Sequence, residues 1–164
     1  MAEGRSYEIR VLGEGDSTLM RQLLDCFGEA FGDTDTYCSS QPDDHYLSAL
    51  LSGECFFALA AIDEGHVVGG LAGYELRKYE QPRSELYIYD LAVREGYRRL
   101  GIATALIDRV SQMARERGAW TIYVQADIGD DPAIALYSGL GAREDVLHFD
   151  ISPDRGDAPD RGSV

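Results

Sequence analysis

Two places in this sequence are equipped for chemistry. The first is Arg98, Arg99, Gly101 and Ala103, where a loop gives way to a run with Leu100, Ala103, Leu106, Ile107 and Val110 at helical spacing. Amides at the start of a helix have no partner within it. With arginines beside them, and no bulky side chain at Gly101 or Ala103 to keep a ligand off the backbone, they make a site for a phosphorylated ligand. The plainer reading of so short a pattern is a surface loop with solvated arginines and a helix-start glycine. The second place is Asp90, which interrupts Glu85-Leu-Tyr-Ile-Tyr-Asp-Leu-Ala-Val93, an otherwise apolar and aromatic run. A charge in such a run needs a partner or a purpose to offset several kcal/mol of lost hydration.

The elements that must position these residues are legible from periodicity. Residues 85–93 form a continuous run of β-formers, which predicts a strand buried on both faces, and the amphipathic run after it predicts a helix ending near Gly118. Upstream, Tyr7–Leu12 alternates as a strand, and Asp16-Ser-Thr precedes Leu19, Leu23, Leu24 and Phe27, predicting a capped helix. Residues 31–42 are polar, aperiodic and rich in turn formers, which predicts a loop bearing acidic residues. A short helix from Asp43 to about Leu51 is expected next, with Tyr46, Leu47, Leu50 and Leu51 on one face. Cys55–Ile62 and Val67–Leu76, joined by Asp63-Glu-Gly-His, predict an antiparallel hairpin. Residues 119–125 are a further strand, Pro132 and Ala133 open a short helix, and Val146–Ile151 is expected to close the fold as a strand. From Ser152 on, apolar content nearly vanishes, which predicts a disordered tail over 152–164.

Composition narrows the function. The 164 residues, 45% hydrophobic, suffice for one domain with a full core, expected over 1–151. No apolar run approaches the roughly 20 residues of a membrane span, and the N-terminus lacks a signal-peptide core, so a cytoplasmic protein without a membrane partner is expected. Cys26, Cys38 and Cys55 are odd in number and show no metal-type pairing, so they are read as reduced thiols. His45, His66 and His148 are scattered without ligand spacing, and no metal site is expected. A formal net charge of −14 disfavours a nucleic-acid partner and favours a cationic one.

Set in order, these elements run β-α-α-β-β-β-α-β-α-β. The spacing Arg98-x-x-Gly101-x-Ala103 after a strand resembles the acyl-CoA motif of the Gcn5-related N-acetyltransferases (GNAT), which use this element order. Ala133-Ile-Ala-Leu-Tyr137 followed by Leu140-Gly141-Ala142 resembles the second half of that family's signature, with Ala142 in place of the usual Phe. Within the family, Phe27-Gly-x-x-Phe31-Gly-Asp33-x-x-Thr36-Tyr37-x-x-x-Gln41-Pro42-Asp43-x-x-Tyr46-Leu47 is similar to the type I aminoglycoside 3-N-acetyltransferases, the gentamicin-modifying group. So are Glu80–Glu85, Tyr87–Val93 and Tyr123–Ala133, and the resemblance covers about residues 7–152. It implies an α/β GNAT fold: one mixed sheet with splayed central strands, flanked by helices.

The resemblance also implies acetyl-CoA as cofactor and direct transfer to the 3-amino group of a cationic aminoglycoside, conferring resistance. A polyamine, or a protein or peptide amine, is the alternative acceptor, and a sensor that binds acyl-CoA without transfer is a third possibility. By resemblance Leu91, Ala92 and Val93 hold the pantetheine arm, with the Leu91 amide polarising the thioester carbonyl. Arg98, Arg99, Leu100, Gly101, Ile102, Ala103 and Thr104 receive the pyrophosphate, and Asp130, Ala133 and Tyr137 complete the cofactor site. Asp130 stands where asparagine is common, which puts a side-chain amide contact to the arm in doubt. Tyr137 would protonate the departing thiolate or only pack on the arm. Asp90 would accept the amine proton, directly or through water; a buried anchor bonded to backbone amides is the alternative. Asp33, Asp35, Tyr37 and Asp127 would frame the acceptor with Asp90. Tyr87, Tyr89 and Tyr123 are expected as core and sheet packing. A homodimer is expected from Phe149 and Ile151, which could extend a sheet edge.

Overall fold

A computed structural model describes residues 6–154. The chain divides into two compact units, Met1–Asp127 and Ile128–Val164, and each is taken by itself.

In the first unit, β1 (Glu8–Val11), β2 (Phe56–Asp63), β3 (His66–Arg77), β4 (Ser84–Val93) and β5 (Ala119–Val124) form one sheet in the order β1-β2-β3-β4-β5. The first three pairings are antiparallel and β4 with β5 is parallel, so the sheet is mixed. The parallel pair requires a crossover, supplied by α4 (Ile102–Arg117). The hairpin between β2 and β3 turns at Glu64 and Gly65, whose positive φ angles of 48° and 81° suit the twist of its strands.

Side chains sort onto two faces. Leu23 and Phe27 of α1 (Ser17–Phe31) and Leu47 and Leu51 of α3 (Asp44–Ser52) pack with Phe56, Ala58, Ala60, Ala72 and Ala92 of the sheet. The opposite face carries α4, whose Ile102, Leu106, Ile107 and Val110 are buried. Asp16 stands at the N-terminus of α1, but its side chain does not cap the helix. It accepts instead from the Gly13 amide at 2.8 Å and from Arg10 at 2.6 Å.

Two expectations change here. β4 is not buried on both faces: Ser84, Leu86 and Ile88 are buried while Glu85, Tyr87 and Tyr89 are partly or fully exposed. α1 does reach β4, at Ala92, but the side chains of Glu85, Tyr87 and Tyr89 stay accessible. The alternation then breaks, because Gly73 pairs with Ile88 but Ala72 pairs with Asp90, leaving Tyr89 as an extra residue in β4. This bulge turns Asp90 to the face of Ala72, with α1, rather than to the α4 face that Ile88 occupies. Second, residues 31–42 are not all loop. Thr34–Tyr37 forms the one-turn helix α2, capped by Asp33, whose side chain accepts from the Thr36 amide at 3.1 Å.

In the second unit, α5 (Asp131–Ser138) starts with proline in its first turn and is capped by Asp130, which accepts from the Ala133 amide at 3.2 Å. The strand expected over Val146–Ile151 is absent: residues 142–150 carry no regular structure. Alternating apolar residues make a strand only when a ladder partner satisfies their backbone, and Val146, Leu147, Phe149 and Ile151 stay exposed. Most of the expected tail, from residue 155 on, lies outside the described residues. No helix among the described residues is long and apolar enough to cross a membrane.

Candidate active site

Pairing between β4 and β5 runs from Ser84 with Ala119 to Ile88 with Val124 and stops there, while β4 remains paired to β3 as far as Val93. Beyond Ile88 the two parallel strands therefore part. Leu91, Ala92 and Val93 lie on this stretch, with no β5 partner for their backbone among the described residues. A ligand with amides of its own can complete that ladder. Arg94 anchors the end of the strand: its amide donates to the Val68 carbonyl at 2.9 Å, its Nε to the Val67 carbonyl at 3.0 Å, and its guanidinium pairs with Glu29.

From there the chain makes a 3-10 turn over Glu95–Tyr97 and enters α4 through Arg98, Arg99, Leu100 and Gly101. Arg99 and Gly101 both take left-handed backbone, with φ of 64° and 80°. Glycine adopts that conformation freely, whereas for Arg99 it costs roughly 1–2 kcal/mol. Such a bend turns backbone N–H groups toward one side and makes an anion-binding concavity. No side chain caps α4, and the first intrahelical bond is donated by Ala105 to Gly101, so the amides of Ile102, Ala103 and Thr104 have no helical acceptor. Arg98 is exposed and donates from Nε to the Val93 carbonyl at 3.2 Å, tying the loop to the stretch of β4 that β5 does not pair. The backbone and charges present fit a phosphorylated ligand with an amide-bearing arm.

Asp90 sits at the parting of the strands, half-buried, and accepts a hydrogen bond from the Tyr37 hydroxyl at 3.1 Å. Burial raises its pKa above the ordinary carboxylate value, and the bond from Tyr37 opposes that rise in part. Burial and the Asp90 charge in turn push the Tyr37 phenol far up, so it stays a donor. Tyr37 is held by its ring, which packs against Phe27 and Phe31 at centroid distances of 5.9 and 5.6 Å. Gly28 lets α2 approach α1 that closely: a Cβ there would lie 2.5 Å from Cys38 Sγ and 3.3 Å from Tyr37 Cβ.

The structure thus brings Asp90 and Tyr37 together, with Asp33 beside Tyr37 as the cap of α2 and Asp35 exposed in its first turn. Asp127 is exposed and lies past Val124, the end of β5. Asp130, Ala133 and Tyr137 belong to the second unit, where burial, followed by the Asp130 charge, raises the Tyr137 phenol and keeps it protonated.

Of the tyrosines expected as packing residues, Tyr87 is partly buried and stacks across the sheet on Tyr123, while Tyr89 and Tyr123 are 59% and 36% exposed; Tyr74 beside them is 39% exposed. Register sets Phe56 opposite Tyr74, Tyr74 opposite Tyr87 and Tyr87 opposite Tyr123, a row across four strands on the Asp90 face. The signal in the sequence was Tyr87-x-Tyr89, which places both side chains on one face of a strand. Their exposure depended on how far the helices reach, which periodicity does not report.

Solved structures of similar fold include an aminoglycoside acetyltransferase from an uncultured soil metagenomic sample, 54% identical, with a TM-score of 0.88 over 90% of this chain and 98% of that one. A second, also from an uncultured soil sample and in complex with sisomicin, is 34% identical with a TM-score of 0.82 over 89% of this chain and 95% of that one. Among curated proteins, an N-alpha-acetyltransferase of Sulfurisphaera tokodaii is 31% identical over 110 residues, 60% of this chain and 63% of its own length. N-acetyltransferase 8B of Rattus norvegicus is 32% identical over 104 residues, 63% of this chain and 45% of its own length. The chain therefore spans less than two thirds of each of these curated relatives. The family model for the acetyltransferase (GNAT) family matches residues 17–142, most of the chain, including β2 to β5, the arginine loop and both helices that follow strands of the parallel pair, and the chain belongs to that family.

Proposed function

We propose that this chain is an acetyl-CoA-dependent aminoglycoside 3-N-acetyltransferase that acetylates the 3-amino group of gentamicin-type substrates directly and so confers resistance to them. One observation carries the reading: Asp90, half-buried and held by Tyr37, lies at the point where β4 leaves β5 and its backbone becomes available to a ligand. A proton acceptor beside an acyl-arm slot is what amine acylation needs. The aminoglycoside acetyltransferases at 54% and 34% identity, one bound to sisomicin, support this acceptor class. So does the net charge of −14.

Acetyl-CoA supplies the acetyl group as an activated thioester. Backbone groups of Leu91, Ala92 and Val93 would hold its arm, with the Leu91 amide as the dipole that would stabilise charge on the thioester carbonyl. Amides and side chains from Arg98 to Thr104 would hold the pyrophosphate. An ammonium has no lone pair, so Asp90 takes the proton of the acceptor amine, directly or through one water. Tyr137 would give its hydroxyl proton to the departing sulfur. Asp33, Asp35, Tyr37 and Asp127 frame the acceptor, each charge-assisted contact contributing roughly 1.5–3 kcal/mol. Two such chains work in the cytoplasm as a homodimer.

Free thiol released from acetyl-CoA in the presence of gentamicin tests this, with the acetylated nitrogen located by NMR of the product. No release above background with any aminoglycoside sinks it. Acetylation of a polyamine or of a protein N-terminus is the second reading, favoured by the similarity to an N-alpha-acetyltransferase. Higher kcat/KM for spermidine or a peptide than for gentamicin would establish it.

A further inference from the structure

The open end of the Asp90 face is paved with phenol rings. Tyr87 and Tyr123 stack with centroids 4.6 Å apart and planes 5° from parallel. Tyr89 meets Tyr87 edge-on at 5.6 Å and Tyr74 at 5.9 Å. The array crosses β3, β4 and β5, and Tyr89, adjoining Asp90 in the chain, is 59% exposed. Burial raises the phenols of Tyr74, Tyr87 and Tyr123, so they are neutral and keep their electron-rich ring faces. Glu85, on the same strand face as Tyr87, pairs with Lys78 at 3.4 Å, so the charges beside Tyr123 oppose each other and Asp90 is the carboxylate left to receive a cation.

Sheet packing alone accounts poorly for this arrangement. Cross-strand aromatic pairs stabilise a sheet by about 0.2–1 kcal/mol, but they do so equally well when covered. Here Tyr89, and to a lesser degree Tyr74 and Tyr123, keep solvent access next to a half-buried carboxylate, on a strongly acidic chain. Aromatic faces attract cations and the C–H-rich faces of saturated rings, and a carboxylate at the edge of the array fixes where an ammonium settles. A ligand that fits must therefore be cationic and carry saturated rings broad enough to cover neighbouring phenols.

We propose that Tyr74, Tyr87, Tyr89 and Tyr123 form a stacking platform that selects ring-bearing ammonium acceptors, amino sugars and aminocyclitols, over linear polyamines by receiving a ring face while Asp90 receives the reacting amine. This deepens the proposed function and rests on it. The platform assigns acceptor selection to aromatic surface as well as to the carboxylates of the Asp33–Tyr37 segment. It also gives the acceptor a contact that salt does not screen, since stacking survives where exposed ion pairs weaken.

The test is titration calorimetry of gentamicin, glucosamine and spermidine onto wild type and Tyr89→Leu, with Tyr123→Leu as the second variant. Tyr89→Leu is expected to weaken gentamicin and glucosamine by about 5- to 30-fold, with little change for spermidine. In turnover the loss falls on KM more than on kcat, and Tyr89→Phe, which restores the ring face, recovers most of the affinity. Persistence of the loss at 0.5 M salt supports the platform further. Ring-bearing amines bound by both leucine variants as tightly as by wild type overturn it, as does an equal loss for spermidine. A fall in thermal stability with unchanged binding assigns the rings to packing and overturns it too. A wild type that acetylates no aminoglycoside, yet loses glucosamine affinity in Tyr89→Leu, refutes the proposed function and keeps the platform.

Discussion

Tyr37 and Asp90 stand 53 positions apart in the sequence and meet across a 3.1 Å hydrogen bond, the phenol donating to the carboxylate. The bond ties a one-turn helix to the middle of a sheet strand. It also sets the proton affinity of Asp90, because burial raises that affinity and the Tyr37 hydroxyl lowers it.

Tyr37→Phe keeps the ring stack with Phe27 and Phe31 and deletes the donor. Asp90 then loses the one influence that opposes its burial, so its pKa moves further up. The acid limb of the kcat/KM profile should shift to higher pH, with activity reduced along that limb and recovered on its alkaline side. An unmoved acid limb would detach Tyr37 from the base.

Asp90→Asn should lower kcat/KM by about 10²-fold or more while acetyl-CoA affinity stays close to that of wild type. The stability effect has a definite sign. Because the folded pKa of Asp90 is raised, its contribution is full below the unfolded pKa and is lost as pH rises through the folded one. Ionised Asp90 is thus a cost near pH 7, and the Asn variant should match or exceed the wild-type Tm there. Higher pH should partly rescue its turnover, since solvent deprotonates more of the acceptor. A lower Tm with normal turnover per folded molecule would mark Asp90 as an anchor and move the base to Asp127 or a water chain.

Tyr137→Phe removes a phenol that burial keeps protonated. Turnover should fall by about 10²-fold with acetyl-CoA binding retained. Unchanged turnover would leave Tyr137 a packing role only.

Gly28→Ala places a Cβ against Cys38 Sγ and Tyr37 Cβ, on the far side of Tyr37 from the chemistry. It should displace α2, weaken the Tyr37–Asp90 bond and move the pH profile as Tyr37→Phe does. Combining the two should add little, the non-additivity expected of residues acting through one contact. Cys38→Ala in the Gly28→Ala background should recover part of the loss. Fully additive effects would show that Gly28 acts by another route.

Phe149 and Ile151, 76% and 85% exposed beside Val146 and Leu147, give the second unit an apolar surface suited to a partner copy. Light scattering at micromolar concentration should report twice the 18.1 kDa chain mass, reduced by Phe149→Glu with Ile151→Glu. A monomer in the wild type refutes the dimer.

Periodicity made most of the frame legible. α1, α3, α4 and the five strands fall where apolar spacing put them, because each buries one stripe or face. The arginine loop was legible for a different reason: Gly101 meets the need for left-handed backbone before α4. Three features were not legible. α2 has too few residues for a period to show, the exposure of Tyr89 depends on where α1 and α3 end, and Val146–Ile151 alternates without a ladder partner. Asp90 was noticed for being a charge in an apolar run, yet its neighbour Tyr37 came from a segment read as loop.

The extra residue at Tyr89 gives β4 a reading frame. Upstream of it even-numbered residues such as Leu86 and Ile88 take the α4 face, and downstream Asp90 and Ala92 take the α1 face. Substituting Tyr89 leaves that frame intact. Deleting it would remove the bulge yet leave Ile88 opposite Gly73 and Asp90 opposite Ala72, so Asp90 keeps its face; a slip that paired Tyr89 itself with Ala72 would instead send Asp90 toward α4 and Leu91 toward α1. The face that Asp90 takes is consequently held by the register of β4 against β3, and not by the identity of residue 89.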